Sequence, residues 1–305
     1  MPKSVFINRR RMRHKPAFCG RKGKRKMDYS WKNKKRDLTS IFDLLVKEEP
    51  GFISYFRRVS DCDGKKHEWS NCDVESNDHC VDTDFNYTQK FTKSIVVSNS
   101  DPELSRWGSI DNRLNRQTVI VLSDLVREIN AIALLGVRAA SDVGPRMYAG
   151  GLYWFATGSG CNQLNCGGKP LSVEVINEAI DVVCSAGFEH PKILCSPRTS
   201  ETIWDMYKDC IQIIRHDEHR GAYVAVVSDA GDGRVLEIIT DPAVPDNDCW
   251  VIDPYGFGIV NKKDGRIVDE DCTLDGFDGI RRKVTCEVTF ELRNAKQRCC
   301  RICIK

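Results

Sequence analysis

Apolar positions in the middle of the chain recur at helical spacing over residues 104–135. This stripe predicts a helix of roughly 50 Å at 1.5 Å per residue. Asp101 and Pro102 suit the N-cap and the first helical position, and Gly144-Pro145 ends the segment. Such a helix is longer than many small domains are wide, so we expect it to be a structural spine.

Two other stretches alternate between apolar and polar positions, which is the period of a strand. Residues 85–97 form the first, and neither of its faces is purely apolar, so we expect it to be at most half buried. The second lies at residues 284–293 and alternates cleanly. Its apolar face consists of Val284, Cys286, Val288, Phe290 and Leu292.

The remaining segments follow from shorter patterns. Residues 41–45 predict a short helix, capped by Asp37, Thr39 or Ser40 and ended by Pro50-Gly51. Residues 61–84 are polar and rich in turn formers, which predicts an extended loop or hairpin that projects from the body. Residues 146–250 alternate between helices and strands as in a compact α/β unit, with Ser172 and Ser196 as helix caps.

The charges are distributed very unevenly along the chain. Residues 1–36 hold fifteen Lys and Arg and one acid, a net charge of +14, whereas the rest carries −11. Such a cationic arm can bind nucleic acid phosphates by counterion release, or lie on acidic neighbouring subunits. A solvated, disordered tail is the alternative. The candidate contact residues are Arg9, Arg10, Arg11, Arg13, Arg21, Lys22, Lys24, Arg25 and Lys26.

Fifteen cysteines are an odd number, so they do not all pair within one chain. Buried, reduced thiols are one interpretation. Disulfides within or between subunits, formed after release from the cell, are the other. The candidates for disulfides are Cys62, Cys72, Cys80, Cys161, Cys166, Cys299, Cys300 and Cys303.

The sequence offers no catalytic, cofactor-binding or metal-binding constellation, so we expect a protein that is not an enzyme. Its glycine pairs lack the residues of a phosphate-binding loop, and the His216 and His219 pair lacks a third ligand. No Ser/His/Asp or Cys/His triad is recognisable. Because no apolar run approaches the ~18 residues of a membrane helix, we expect a soluble protein made in a cytoplasm, with no membrane partner.

Seven short segments occur in a fixed order along the chain. They are His67-Glu68-Trp69, Asn86-Tyr87-Thr88-Gln89-Lys90-Phe91, Arg146-Met147-Tyr148-Ala149-Gly150-Gly151-Leu152, residues 171–180, Val227-Ser228-Asp229, Val251-Ile252-Asp253-Pro254 and Glu287-Val288-Thr289-Phe290-Glu291-Leu292-Arg293-Asn294. In this order, around the spine, they resemble the major capsid proteins of tailed bacteriophages over about residues 38–295.

The resemblance implies an α+β chain with the tailed-phage capsid fold, which encapsulins share. Its parts would be an N-terminal arm (1–54, strongly basic in 1–36), an extended loop (55–98), the spine helix of a peripheral domain (99–145), an axial domain (146–250), and peripheral-domain strands with the C-terminus (251–305). This sequence departs from the family in its very basic arm and abundant cysteine, so we expect arm contacts and disulfides between subunits to reinforce the contacts of the extended loop.

The function implied by the resemblance is that of a virion subunit. Copies of the chain would form pentamers and hexamers of an icosahedral shell around packaged double-stranded DNA, assembled in the host cytoplasm. Further partners would be a portal and decoration or scaffolding proteins, and no cofactor is implied. The alternatives are an encapsulin-like nanocompartment shell and a nucleic-acid-binding protein with a basic arm.

Overall fold

Two β-sheets and one long helix organise the chain. The computed structural model describes residues 35–48, 51–55, 57–62, 64–71, 83–100, 110–140, 146–158, 160–185, 187, 191–208, 211–215, 222–227, 235–262 and 267–304. The strands are, in chain order, β1 (Arg36–Asp37), β2 (Arg57–Cys62), β3 (Lys66–Ser70), β4 (Thr83–Tyr87), β5 (Gln89–Ser98), β6 (Ala139–Ala140), β7 (Met147–Tyr148), β8 (Asn162–Asn165), β9 (Lys192–Cys195), β10 (Ile211–Arg215), β11 (Ala222–Val227), β12 (Val235–Thr240), β13 (Asp248–Ile252), β14 (Phe257–Lys262), β15 (Val268–Asp271), β16 (Gly279–Leu292) and β17 (Cys299–Cys303). The helices are α1 (Thr39–Glu48), α2 (Ile110–Leu135), α3 (Leu152–Gly158), α4 (Val173–Ser185), α5 (Pro197–Tyr207) and α6 (Ala295–Arg298), with a 3-10 turn at Phe52–Ser54.

The six-stranded sheet has the order β1-β15-β16-β14-β2, and β5 pairs with β16 on the other side. The predicted alternation in β16 is confirmed, since its five apolar side chains are all buried. Thr289 and Glu291, on the opposite face, are buried as well. Strands β3 and β4 form a separate hairpin, and contacts between β4 and β16 show that this hairpin covers the second face.

The predicted spine is α2, whose described length runs from Ile110 to Leu135. The predicted caps Asp101 and Pro102 lie outside the described residues. Leu114, Leu125 and Ile129 of the predicted stripe are buried, whereas Leu135 is exposed. Helix α1 begins where Asp37 Oδ1 accepts a 3.0 Å hydrogen bond from the Thr39 backbone N–H. Its Ile41 and Leu44 are exposed.

The seven-stranded sheet has the order β10-β11-β12-β9-β13-β17-β8. Helices α4 and α5 pack on one face, and side chains of the other face join the core that contains α2 and α3. The predicted cap of α5 is confirmed, because Ser196 Oγ accepts a 3.2 Å hydrogen bond from the Thr199 backbone N–H.

The C-terminal strand β17 lies inside the seven-stranded sheet, between β13 and β8. The sequence predicts peripheral-domain strands and the C-terminus over residues 251–305, and it predicts no partner for β17. Cys300 and Ile302 of β17 are buried in the core beneath α4 and α5, which accounts for its position. None of the described helices is long and apolar enough to span a membrane.

Candidate assembly site at the base of the hairpin

The hairpin β3–β4 is fixed to the rest of the subunit at its base. Asn86 of β4 is fully buried. Its Nδ2 donates to the carbonyls of Gly150 and Phe290 at 2.9 Å each, and its Oδ1 accepts from the Gly150 N–H at 2.8 Å. Because buried amides need all these partners, the side chain fixes the hairpin on β16 and on the chain before α3.

A second contact joins β3 to the end of β16. The Trp69 Nε1–H donates to the Leu292 carbonyl at 3.2 Å, and its ring meets Phe155 edge-on with centroids 5.5 Å apart. His67 Nε2 lies 2.8 Å from Oε2 of Glu291, a fully buried carboxylate whose Oε1 lies 3.1 Å from Arg293 Nε. These partners compensate the burial of the Glu291 charge.

Arg138, just after the spine, binds strand β4 of the hairpin. Its guanidinium forms an ion pair with Asp84 at 3.0 Å and donates to the Phe85 carbonyl. Two cations lie over the Phe85 ring, with Arg138 Cζ 4.0 Å and Lys66 Nζ 4.1 Å from its centroid. Cation–π contacts of this kind add to the ion pair, so hairpin and spine end form one rigid base.

Charged side chains are concentrated on one face of the six-stranded sheet and in the sequence that connects β3 to β4. The outer face of the six-stranded sheet presents Lys90 and Arg281, both exposed, and half-buried Lys283. On the same face, half-buried Glu287 lies opposite Lys90 and half-buried Glu270 lies opposite Lys283. Strand register places Lys283 opposite Ser94 and Arg281 opposite Val96. The hairpin tip, residues 72–82, contains Asp73, Glu75, Asp78 and Asp82 and no Lys or Arg. The conformation of the tip lies outside the described residues.

The cysteines that the structure describes are free thiols. Burial raises the pKa of the Cys195, Cys286 and Cys300 thiols to about 12 each. Burial also raises the pKa of Cys249 and Cys299 well above the ordinary range. Because the thiolate is the reactive form, these five side chains are poor nucleophiles in the folded chain.

The sequence-predicted site residues fall into two groups. Cys161, Cys166, Cys299 and Cys300 are buried and Cys303 is half-buried. The Cys62 side chain, Cys72, Cys80 and the arm residues from Arg9 to Lys26 lie outside what the structure describes. Disulfides and arm contacts therefore stay predictions. In the described ranges, no three His, Cys, Asp or Glu side chains are grouped to hold a metal ion.

No pattern in the sequence predicts a role for Asn86, Trp69, Arg138 or Glu291. Three of them lie within segments that carried the resemblance, which was the only available signal. A single asparagine in a polar strand forms no periodic pattern, and its partners are 64 and 204 residues away.

Comparison with known proteins shows which family and which solved structures this chain is similar to. A family model described as SU10 major capsid protein matches residues 25–303. No curated protein matches the sequence. The predicted capsid fold is confirmed by solved structures at low sequence identity.

Three of these structures show the range of the likeness. The holo-SrpI encapsulin complex from Synechococcus elongatus PCC 7942 has a TM-score of 0.60 at 8% identity, covering 82% of this chain and 85% of that chain. A virus-like particle from Pyrococcus furiosus has a TM-score of 0.54 at 10% sequence identity, and the match covers 87% of this chain and 97% of that chain. A structure from Mycobacterium phage Bobi has a TM-score of 0.52 at 11% sequence identity, and the match covers 84% of this chain and 91% of that chain.

Proposed function

Because the chain belongs to the SU10 major capsid protein family, whose members are structural subunits of a shell, we propose that it forms pentamers and hexamers of an icosahedral shell around double-stranded DNA. The match over residues 25–303 carries this proposal, since it spans the hairpin, the spine and both sheets. The shell is the virion capsid, assembled in the host cytoplasm. A portal and decoration or scaffolding proteins complete the set of proposed partners.

Contacts between copies are proposed to pair the acidic hairpin tip with the outer face of the six-stranded sheet. The tip has four acids and no base, and the face presents Lys90, Arg281 and Lys283. Because the base of the hairpin is anchored by Asn86 and Arg138, the tip meets its partner without ordering the whole hairpin. Complementary charge then fixes the register between neighbours.

The basic arm is proposed to contact packaged DNA, acidic neighbouring subunits, or both. Its charge of +14 suits phosphate neutralisation, and the −11 of the remaining chain suits neighbour contacts. Both contacts weaken as salt is added, because counterion release and screening act on each. Deleting residues 1–34 is therefore expected to reduce the salt dependence of assembly.

The test is to express the full chain and examine its particle size and contents. Light scattering and negative-stain microscopy are expected to show closed shells, and nuclease treatment of shells from phage-producing cells is expected to leave protected DNA. Shells that hold only protein would favour the nanocompartment alternative. A chain that stays monomeric or dimeric under all assembly conditions would contradict the proposal and favour the nucleic-acid-binding alternative.

A further inference from the structure

A small polar cluster joins the 3-10 turn that follows α1 to two other elements. The 3-10 turn Phe52–Ser54 lies against Asn130 of α2 and against Asp241 at the end of β12. Phe52 and Ile53 are buried, and the Phe52 ring lies 4.8 Å from that of Phe257. The turn is thus in contact with the spine, the seven-stranded sheet and the six-stranded sheet.

Asp241 is the centre of the cluster and is 1% exposed. Its Oδ2 accepts from the Phe52 backbone N–H at 2.8 Å and from Asn130 Nδ2 at 2.7 Å. Its Oδ1 accepts from the Ala243 N–H at 2.8 Å. Such hydrogen bonds to a charged group are worth more than neutral ones, so this carboxylate holds its three donors strongly.

Asn130 completes the cluster from the spine. Its Oδ1 accepts from the Ile53 N–H at 3.0 Å while its Nδ2 donates to Asp241. Two successive N–H groups at the start of the turn are therefore bound by side chains of two distant elements. The residue before the turn, Gly51, lies close to Asn130, and a Cβ on it would lie 3.1 Å from Asn130 Oδ1.

We infer that Asp241 and Asn130 are positioning residues that couple residues 51–53, after α1, to the end of β12. A displacement of residues 51–53 moves both N–H groups, and through Asn130 and Asp241 it loosens the turn at residues 241–244.

The test measures hydrogen exchange of backbone amides in the full-length chain, in two directions. Gly51→Ala places a Cβ 3.1 Å from Asn130 Oδ1 and so disturbs the contact between the turn and Asn130. It adds no backbone strain, because Gly51 has φ of −143°, which alanine adopts freely. The backbone amides of Asp241, Ala243 and Val244 are expected to exchange about tenfold faster in this variant, the effect of weakening one hydrogen bond to a charged group. In the other direction, Asp241→Asn is expected to speed exchange at residues 52 and 53 about tenfold.

Matched controls separate coupling from general loosening. Gly158→Ala adds a Cβ that meets nothing within 4 Å, and Asp246→Asn changes an exposed acid close to the same strand end. Both are expected to leave the two segments at wild-type rates. The inference is overturned if Gly51→Ala changes exchange only near residue 51, or if Asp241→Asn leaves residues 52 and 53 unchanged. Exchange is measured on subunits whether or not shells form, so a failure of the proposed function is seen separately.

Discussion

At the scale of single residues, the base of the hairpin depends on one asparagine. Asn86→Ala is expected to lower the free energy of unfolding by about 3 kcal/mol, because it leaves buried groups of Gly150 and Phe290 without their partner. Chemical denaturation of the unassembled subunit measures this loss. Asn99→Ala is the control, since the Asn99 side chain bonds Asp278 at an exposed site. A similar loss in both variants would contradict the anchoring role.

The buried thiols predict a loss of stability at high pH. Cys286 has its pKa raised from 9.0 to about 12 by burial. Between these two values the unfolded thiol ionises while the folded one keeps its proton, so stability falls by about 1.4 kcal/mol per pH unit. The advantage of wild type over Cys286→Ala in unfolding free energy is therefore expected to shrink as pH rises from 9 to 11. A constant difference over that range would show that the thiol is solvated.

The sequence predicts which residues are buried where apolar positions repeat at a regular period, and it does not predict the burial of single polar residues. The alternation of β16 identified Val284 to Leu292 as buried because each position adds to the same signal. Asn86 and Asp241 act through partners that are far apart in sequence, and a single polar residue carries no periodicity. Their burial follows only from the arrangement of elements around them.

At the scale of elements, helix α3 packs against the end of the spine only because Gly151 has no side chain. A Cβ on this residue would lie 2.4 Å from the Ile132 carbonyl oxygen and 2.6 Å from that of Ala133. Gly151→Ala is therefore expected to destabilise the subunit by about 3 kcal/mol, the cost of severe overpacking. Thermal unfolding measures this, with Gly158→Ala, where a Cβ meets nothing, as the matched control. Equal melting temperatures would contradict the close approach.

The spine could be predicted because its apolar stripe is long, and α5 because its cap, Ser196, is local. Strand β17 shows the limit of this reasoning. Its five residues give no information on partners, and the strands β13 and β8 that flank it begin 51 and 137 residues earlier. Sheet order depends on such long-range pairing, which local sequence does not encode.

At the scale of the whole molecule, the resemblance identified the fold and the charge distribution suggested how copies meet. One subunit carries both an acidic segment between β3 and β4 and three bases, Lys90, Arg281 and Lys283, on the outer face of the six-stranded sheet. If they bind each other across copies, each subunit supplies one of each surface, and the contact propagates from copy to copy until a ring closes. A contact of this kind is testable by exchanging the charges.

Lys90→Glu combined with Arg281→Glu is expected to reduce shell assembly at least tenfold, because the acidic tip then faces an acidic sheet. Adding Asp73→Lys and Glu75→Lys in the tip is expected to restore assembly in part, since attraction returns with the signs reversed. Arg198→Glu, on the exposed surface of α5, is the control and keeps assembly near wild type. Light scattering follows assembly at two salt concentrations. Wild-type assembly slows with salt, whereas the Lys90→Glu and Arg281→Glu double variant improves with salt because screening weakens repulsion. A charge-reversed tip that gives no recovery would place the contact elsewhere.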